Sequence, residues 1–102
     1  MGSVPARASA RIRVLHVLNT LSTGGAETLV LNLAQAHDRD RFDLLVASLD
    51  ADGEIGQRLR AQGFPTFVMA RRHGLDPALA GKIVGLCRRE AIDVVHTHNV
   101  AP

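Results

Sequence analysis

Aromatic residues and cysteine are scarce in this sequence. Its 102 residues include three Phe, no Trp and no Tyr, so exposed aromatic platforms for stacking single-stranded nucleic acid are not expected. The single cysteine, Cys87, excludes an intrachain disulfide and a metal site built from several cysteines, and it fits a reducing compartment. The core must therefore rest on Leu, Val, Ile and Ala, and the hydrophobic share of 46% is ordinary for one folded domain.

Strong charge and long apolar runs are also absent. The net charge of +2 is too small to indicate a polyanionic partner, so no nucleic-acid partner is expected. No apolar stretch approaches the ~20 residues that a membrane span requires. Residues 1–12 contain arginines but no hydrophobic region, unlike a secretory signal. The expected localisation is the cytoplasm.

The stretch from Arg13 to Glu27 changes its hydrophobic period at a pair of glycines. Before Gly24 and Gly25 the chain is apolar on both alternations, which is typical of a strand covered on both faces. After them the apolar residues follow the period of one helix face, and they are Ala26, Leu29, Val30, Leu33 and Ala34. The stretch predicts a first βα unit. Residues 1–12 before it are expected to be a mobile tail, and residues 13–102 are expected to form one domain.

The rest of the chain repeats the alternation of strand and helix. Further strands are expected at 42–49, 65–69 and 92–97, and helices at 54–62 and 76–90, with Gly63 ending the first of these helices in a left-handed conformation. Right-handed crossovers between such strands give a parallel sheet. We predict an α/β fold with a Rossmann-like sheet of strand order 3-2-1-4 and helices on both faces.

Candidate functional residues follow the first and fourth strands. Gly24 and Gly25 stand where a helix N-terminus presents free N–H groups to an anion, although the G-x-G-x-x-G and Walker patterns are absent. His98 follows the fourth strand, at an edge where a histidine can contact a ligand or transfer a proton. His96 is expected to pack within the sheet, and His16 to be a core histidine. No metal site is expected, because no third ligand is evident near His96 and His98.

Three motifs follow one another along the chain: RVLHVLNTLSTGGAET at residues 13–28, QGFPTFVM at 62–69 and IDVVHTHN at 92–99. Together and in this order they resemble the N-terminal half of family-4 glycosyltransferases. In that family, two Rossmann-like domains form a GT-B enzyme that transfers sugar from a nucleotide-sugar donor to an acceptor with retention of configuration. The resemblance therefore implies that this chain is part of the acceptor-side domain of an enzyme of carbohydrate biosynthesis.

The same resemblance assigns roles to individual residues. Gly24 and Gly25 correspond to the loop near the donor diphosphate and the acceptor, His98 to the active-site histidine, and Asn99 to its neighbour. The acceptor would be a saccharide or a lipid, and no cofactor or metal beyond the donor would be required. The C-terminal domain that holds the donor is missing here, so this chain by itself is expected to be inactive.

Other interpretations remain open from the residues alone. A small flavodoxin-like binding or regulatory module without catalysis would show the same βα pattern. A nucleotide-dependent oxidoreductase would need an acid after the second strand, and Asp50 and Asp52 are the candidates. Arg71 and Arg72 could face the acceptor or anionic lipid, the latter at the inner membrane face, whereas a solvated loop is the simpler interpretation.

Overall fold

The computed structural model describes residues 11–21, 24–71 and 77–98. The strands are β1 (Ile12–Thr20), β2 (Phe42–Ala51), β3 (Thr66–Val68) and β4 (Val94–Thr97), and the helices are α1 (Gly25–Ala36), α2 (Glu54–Ala61) and α3 (Pro77–Arg89). The strands form one sheet in the order β3-β2-β1-β4, and each neighbouring pair is parallel. The predicted α/β fold and strand order are confirmed.

The sheet separates two clusters of buried side chains. On one face, α1 and α2 pack against alternate residues of β1 and β2, and the cluster includes Leu18, Val30, Leu31, Val46, Ile55 and Leu59. On the other face, Leu86 of α3 packs with Leu15, Val17, Leu45, Ala47 and Leu49. Helices therefore cover both faces, as a parallel sheet requires. Among the described helices, none is both long enough and apolar enough to cross a membrane.

The strand boundaries differ slightly from those expected from the sequence. Ile12, assigned above to the tail, begins β1, and its N–H donates to the carbonyl of Arg41 at 2.8 Å. Strands β3 and β4 are shorter than expected, with three and four residues. The expected helix start at Asp76 and residues 1–10 of the tail lie outside the described residues.

Helix α1 buries a different face from the one its apolar period predicts. Leu29 and Leu33 are 51% and 38% exposed, whereas Leu31 is buried beside Val30 and Ala34. The apolar period predicted the helix correctly, but it did not predict which face of the helix is buried. The reason is that α1 rests over β1 and β2, while Leu33 lies beside β4, where no described element covers that face of the sheet.

The end of α2 follows the predicted glycine chemistry. Gly63 has φ +90°, a conformation that side chains other than glycine rarely adopt. Its N–H donates to the carbonyl of Arg60 at 3.0 Å, and the N–H of Phe64 donates to that of Leu59 at 3.0 Å. These two bonds form a Schellman motif, which satisfies the last carbonyls of the helix.

Candidate active site

The glycine turn and His98 lie at the same edge of the sheet. Gly24 follows β1 and is the N-cap residue of α1, with its carbonyl accepting the first helical hydrogen bond from Thr28 at 2.9 Å. His98 directly follows β4, and its N–H extends the ladder by donating to the carbonyl of Val17 at 2.9 Å. Because β1 and β4 are parallel neighbours, their carboxyl ends meet at one edge. Asn99 lies outside the described residues.

The two glycines of this turn differ in what surrounds them. Gly24 has extended backbone (φ −169°), and Gly63 is the one described glycine with positive φ, so left-handed backbone is not the reason for glycine here. A Cβ on Gly24 would lie 2.7 Å from Oε1 of Glu27, whereas a Cβ on Gly25 would meet no described atom within 4 Å. Among the described residues, the backbone at Gly25 is therefore open to close approach.

Glu27 ties this turn to the end of β1. Its Oε2 accepts a hydrogen bond from the hydroxyl of Thr20 at 2.7 Å. The carboxylate thus lies in the first turn of α1, where a negative charge interacts favourably with the helix dipole. An anionic ligand at the turn would share the helix N-terminus with this carboxylate, and the open side for its approach is at Gly25.

Three histidines meet on the face of the sheet that α1 covers. His16 and His96 are Cα partners in the parallel pairing of β1 with β4, and His98 is two residues further along. Nδ1 of His16 lies 2.8 Å from Nε2 of His98, a hydrogen-bond distance. The rings of His96 and His98 stack with centroids 4.1 Å apart and planes inclined by 14°. One ring nitrogen from each of the three lies within 4.8 Å of the others.

Burial keeps two of these imidazoles neutral. His16 is 7% exposed, and this burial, followed by the proximity of His98 and His96, lowers its pKa from 6.5 to about 4. Burial and then the proximity of His96 also lower the pKa of His98. At pH 7 the His16–His98 hydrogen bond therefore joins two neutral rings, one donating and one accepting according to tautomer.

The burial and the partners of the three histidines differ in part from those expected from the sequence. His98 follows its strand as predicted, but His96 is exposed on β4 and does not pack within the sheet. His16 is buried as predicted, yet its partner is the candidate catalytic histidine. The premise that His96 and His98 lack a third ligand is wrong, because strand register brings in His16. A histidine in each of two neighbouring parallel strands was the signal that could have identified this cluster.

The two acids at the end of β2, Asp50 within the strand and Asp52 just after it, are already paired. Asp50 accepts two hydrogen bonds from Arg71, at 2.8 and 3.0 Å, and the Arg71 side chain is 8% exposed. Asp52 is ion-paired with Arg60 and accepts the N–H of Gly53 at 2.8 Å. These pairings disfavour a role of either acid in binding a ribose. The Arg71 side chain is thus engaged with Asp50, while Arg72 lies outside the described residues.

Two cavities open beside the sheet. One, of about 410 Å³, lies near the start of β1 and β2 and is lined by Arg11, Arg13, Arg39, Asp43 and Phe64 among others. Arg11 and Arg13 both pair with Asp43, which offsets part of their charge. The second, of about 270 Å³, is an apolar groove whose lining includes Val14, His16, Leu33, Leu44 and His96. This groove reaches two members of the histidine cluster.

Comparison with known families identifies the chain. The model of Glycosyltransferase Family 4 matches residues 23–102, which include both glycines of the turn, the helices α1–α3, the strands β2–β4, and His96 and His98. Neither the comparison with curated proteins nor that with solved structures produced a match. The family match agrees with the parallel sheet of strand order 3-2-1-4 and with the meeting of the glycine turn and His98 at one edge. This chain therefore belongs to glycosyltransferase family 4.

Proposed function

We propose that this chain is part of the acceptor-side domain of a retaining GT-B glycosyltransferase. The enzyme transfers a sugar from a nucleotide-sugar donor to a saccharide or lipid acceptor in carbohydrate biosynthesis. The observation that carries the proposal is the family match over a chain whose glycine turn and His98 follow neighbouring parallel strands. This combination favours the enzyme over a non-catalytic flavodoxin-like module, for which neither motif would be required.

The glycine turn is proposed to receive the ligand against its backbone. The first N–H groups of α1 have no carbonyl partner within the helix, and a helix N-terminus attracts negative charge. Glu27 occupies the side of the turn at Gly24, and the side at Gly25 is open among the described atoms. We therefore assign the donor diphosphate, or an acceptor hydroxyl beside it, to the Gly25 side.

His98 is the proposed catalytic residue. The hydrogen bond between its Nε2 and Nδ1 of His16 leaves Nδ1 of His98 as the nitrogen that can contact substrate. A neutral imidazole near pH 7 can accept or donate a proton at a reacting hydroxyl. Asn99, next along the chain, is proposed to hydrogen-bond the same substrate.

The donor is proposed to be held by a second Rossmann-like domain of the complete enzyme, with no cofactor or metal required for transfer. Positioning of donor over acceptor is worth as much as ~7–11 kcal/mol of a reaction barrier. We therefore expect the 102-residue chain alone to release no nucleotide from nucleotide sugars. The enzyme is proposed to be cytoplasmic, and any contact with a membrane surface would involve residues other than the paired Arg71.

The test is transfer by an enzyme that contains this domain, followed as nucleotide release with a panel of nucleotide sugars and acceptors. His98→Ala should lower turnover by about 100-fold or more, as loss of a general acid or base does. Gly25→Val should also lower turnover strongly while leaving the fold intact, because the branched side chain fills the open side of the turn. Gly81→Ala is the control, since a Cβ on Gly81 in α3 also meets no described atom within 4 Å.

Two results would contradict these assignments. Wild-type turnover in a folded Gly25→Val enzyme would mean that the turn is purely structural. Turnover by the 102-residue chain alone, abolished by His98→Ala, would show that a second domain is not needed to hold the donor.

A further inference from the structure

We infer that His16, His96 and His98 form a binding site for a divalent transition metal of the zinc class. One ring nitrogen from each histidine lies within 4.8 Å of the other two, and no ion is needed to assemble them in the fold. The inference goes beyond the proposed transfer, in which no metal takes part, and an ion on Nε2 of His98 would exclude its action as a base because the proton is then held on Nδ1. It rests on the donor set, on the rigidity of the strands that carry it and on access from solvent.

The donor set suits zinc. Zn²⁺ binds imidazole nitrogen at about 2.0–2.1 Å, and three histidines with water in the fourth position are a known tetrahedral arrangement. Those bond lengths require ligand nitrogens roughly 3.3 Å apart. The nitrogens of His16 and His98 are 2.8 Å apart, and all three lie within 4.8 Å, so one ion can reach them once the exposed His96 ring turns out of its stack on His98.

The backbone holds the three ligands in place before any ion binds. His16 and His96 are directly aligned in the pairing of β1 with β4, and the N–H of His98 is bonded to Val17 of β1 at 2.9 Å. His96 and His98 leave the same face of the sheet, because they are two residues apart on one strand. Preorganisation of this kind lowers the entropy cost of closing a metal site.

The cluster also has an entry path and an open side. His16 lies at its buried base, His98 is partly buried, and His96 is exposed. An ion can therefore enter past His96 and keep water in the position that faces solvent. The proton of the His16–His98 hydrogen bond moves to a ring nitrogen that faces away from the ion, which leaves both ligands neutral as zinc requires.

The test is titration of the metal-free 102-residue chain with ZnCl₂ by isothermal calorimetry, and with Co²⁺ by visible absorption. We expect one ion per chain, with a Co²⁺ spectrum typical of four-coordinate nitrogen ligation. His96→Ala and His98→Ala should each weaken binding by at least about tenfold, since even indirect partners of a metal site are worth about that much. His96 is exposed, so its removal should leave the far-UV circular dichroism unchanged.

His37→Gln is the matched control. His37 lies near His16, but its Nδ1 is 2.7 Å from the carbonyl of Ala34 and it is not a member of the cluster. Binding should be unchanged in this variant. Absence of stoichiometric binding would overturn the inference, and so would binding that survives His96→Ala or that falls equally in His37→Gln. Because no readout depends on sugar transfer, failure here is distinct from failure of the proposed function.

Discussion

His16 couples the core of the sheet to the candidate catalytic histidine. Its ring is buried on the α1 face of β1 and shares a hydrogen bond with His98 at the end of β4. A buried imidazole needs a polar partner, and here that partner is a residue proposed to contact substrate. The bond limits which nitrogen of His98 faces outward.

The first prediction is that His16 makes the fold sensitive to mild acid. Its pKa is about 4 in the folded chain and 6.5 as the unperturbed value, so the unfolded chain binds the proton more readily. The part of the free energy of unfolding that depends on a neutral His16 is fully present above pH 6.5, and it is lost as the pH falls toward 4. Lowering the pH from 7 to 5 should therefore reduce the free energy of unfolding by about 2 kcal/mol through this residue.

Urea denaturation of the metal-free chain in EDTA at both pH values measures the effect. His16→Gln, which keeps all the other titrating groups, should show a smaller loss between the two pH values than the wild type. NMR titration of the His16 ring in the wild-type chain gives its folded pKa independently. An equal pH dependence in the two proteins, or a ring that titrates near 6.5, would show that burial does not control this histidine.

At the scale of elements, α3 is held by its apolar face and weakened by its own glycines. Leu86 is buried, and Leu79, Ile83 and Cys87 pack around it against the second core cluster. Glycine in a helix interior costs up to about 1 kcal/mol relative to alanine. Gly81 and Gly85 both lie within α3, and a Cβ on either would meet no atom of the described chain within 4 Å.

The second prediction is that alanine stabilises α3. Gly81→Ala and Gly85→Ala should each raise the free energy of unfolding by about 0.5–1 kcal/mol, because alanine restricts the unfolded chain and fits the helix. Gly63→Ala is the opposing control, since its left-handed conformation should make alanine destabilising. Urea denaturation at pH 7 ranks the variants. A loss of stability in Gly81→Ala would mean that α3 packs against a surface outside the described residues.

At the scale of the whole molecule, the two edges of the sheet differ in length and cover. Strand β3 has three residues, and β4 has four, with Val94 and Val95 48% and 46% exposed on opposite faces. Within the described part of the chain, β4 pairs with β1 alone. An apolar edge strand with unpaired backbone groups is a template for association with another chain.

The third prediction is that the purified chain associates with itself through β4. Sedimentation analysis should show a mass that rises with concentration. Val94→Lys combined with Val95→Lys should shift the chain toward monomer, because edge charges prevent strand pairing. Val68→Lys, on the other edge strand and 39% exposed, is the matched control and should leave association unchanged. A monomer at all concentrations, or equal effects at the two edges, would contradict a role for β4.

The sequence by itself determined the order of elements and the outer parts of the site. Apolar periods of two kinds separated by a glycine pair define the first βα unit, and the alternation of strands and helices leads to a parallel sheet by the crossover rule. Since residues that follow parallel strands lie at one edge, Gly24 and His98 could be assigned to that edge from their positions in the chain.

Only the tertiary structure decided what His16 contacts and which face of α1 is buried. The hydrogen bond of His16 to His98 joins residues 82 positions apart and depends on the register of β1 against β4, which no local pattern specifies. The exposure of Leu33 depends in the same way on where α1 rests over the sheet. Periodicity describes one element at a time, whereas register and docking are properties of pairs of elements, because they are set by packing between them.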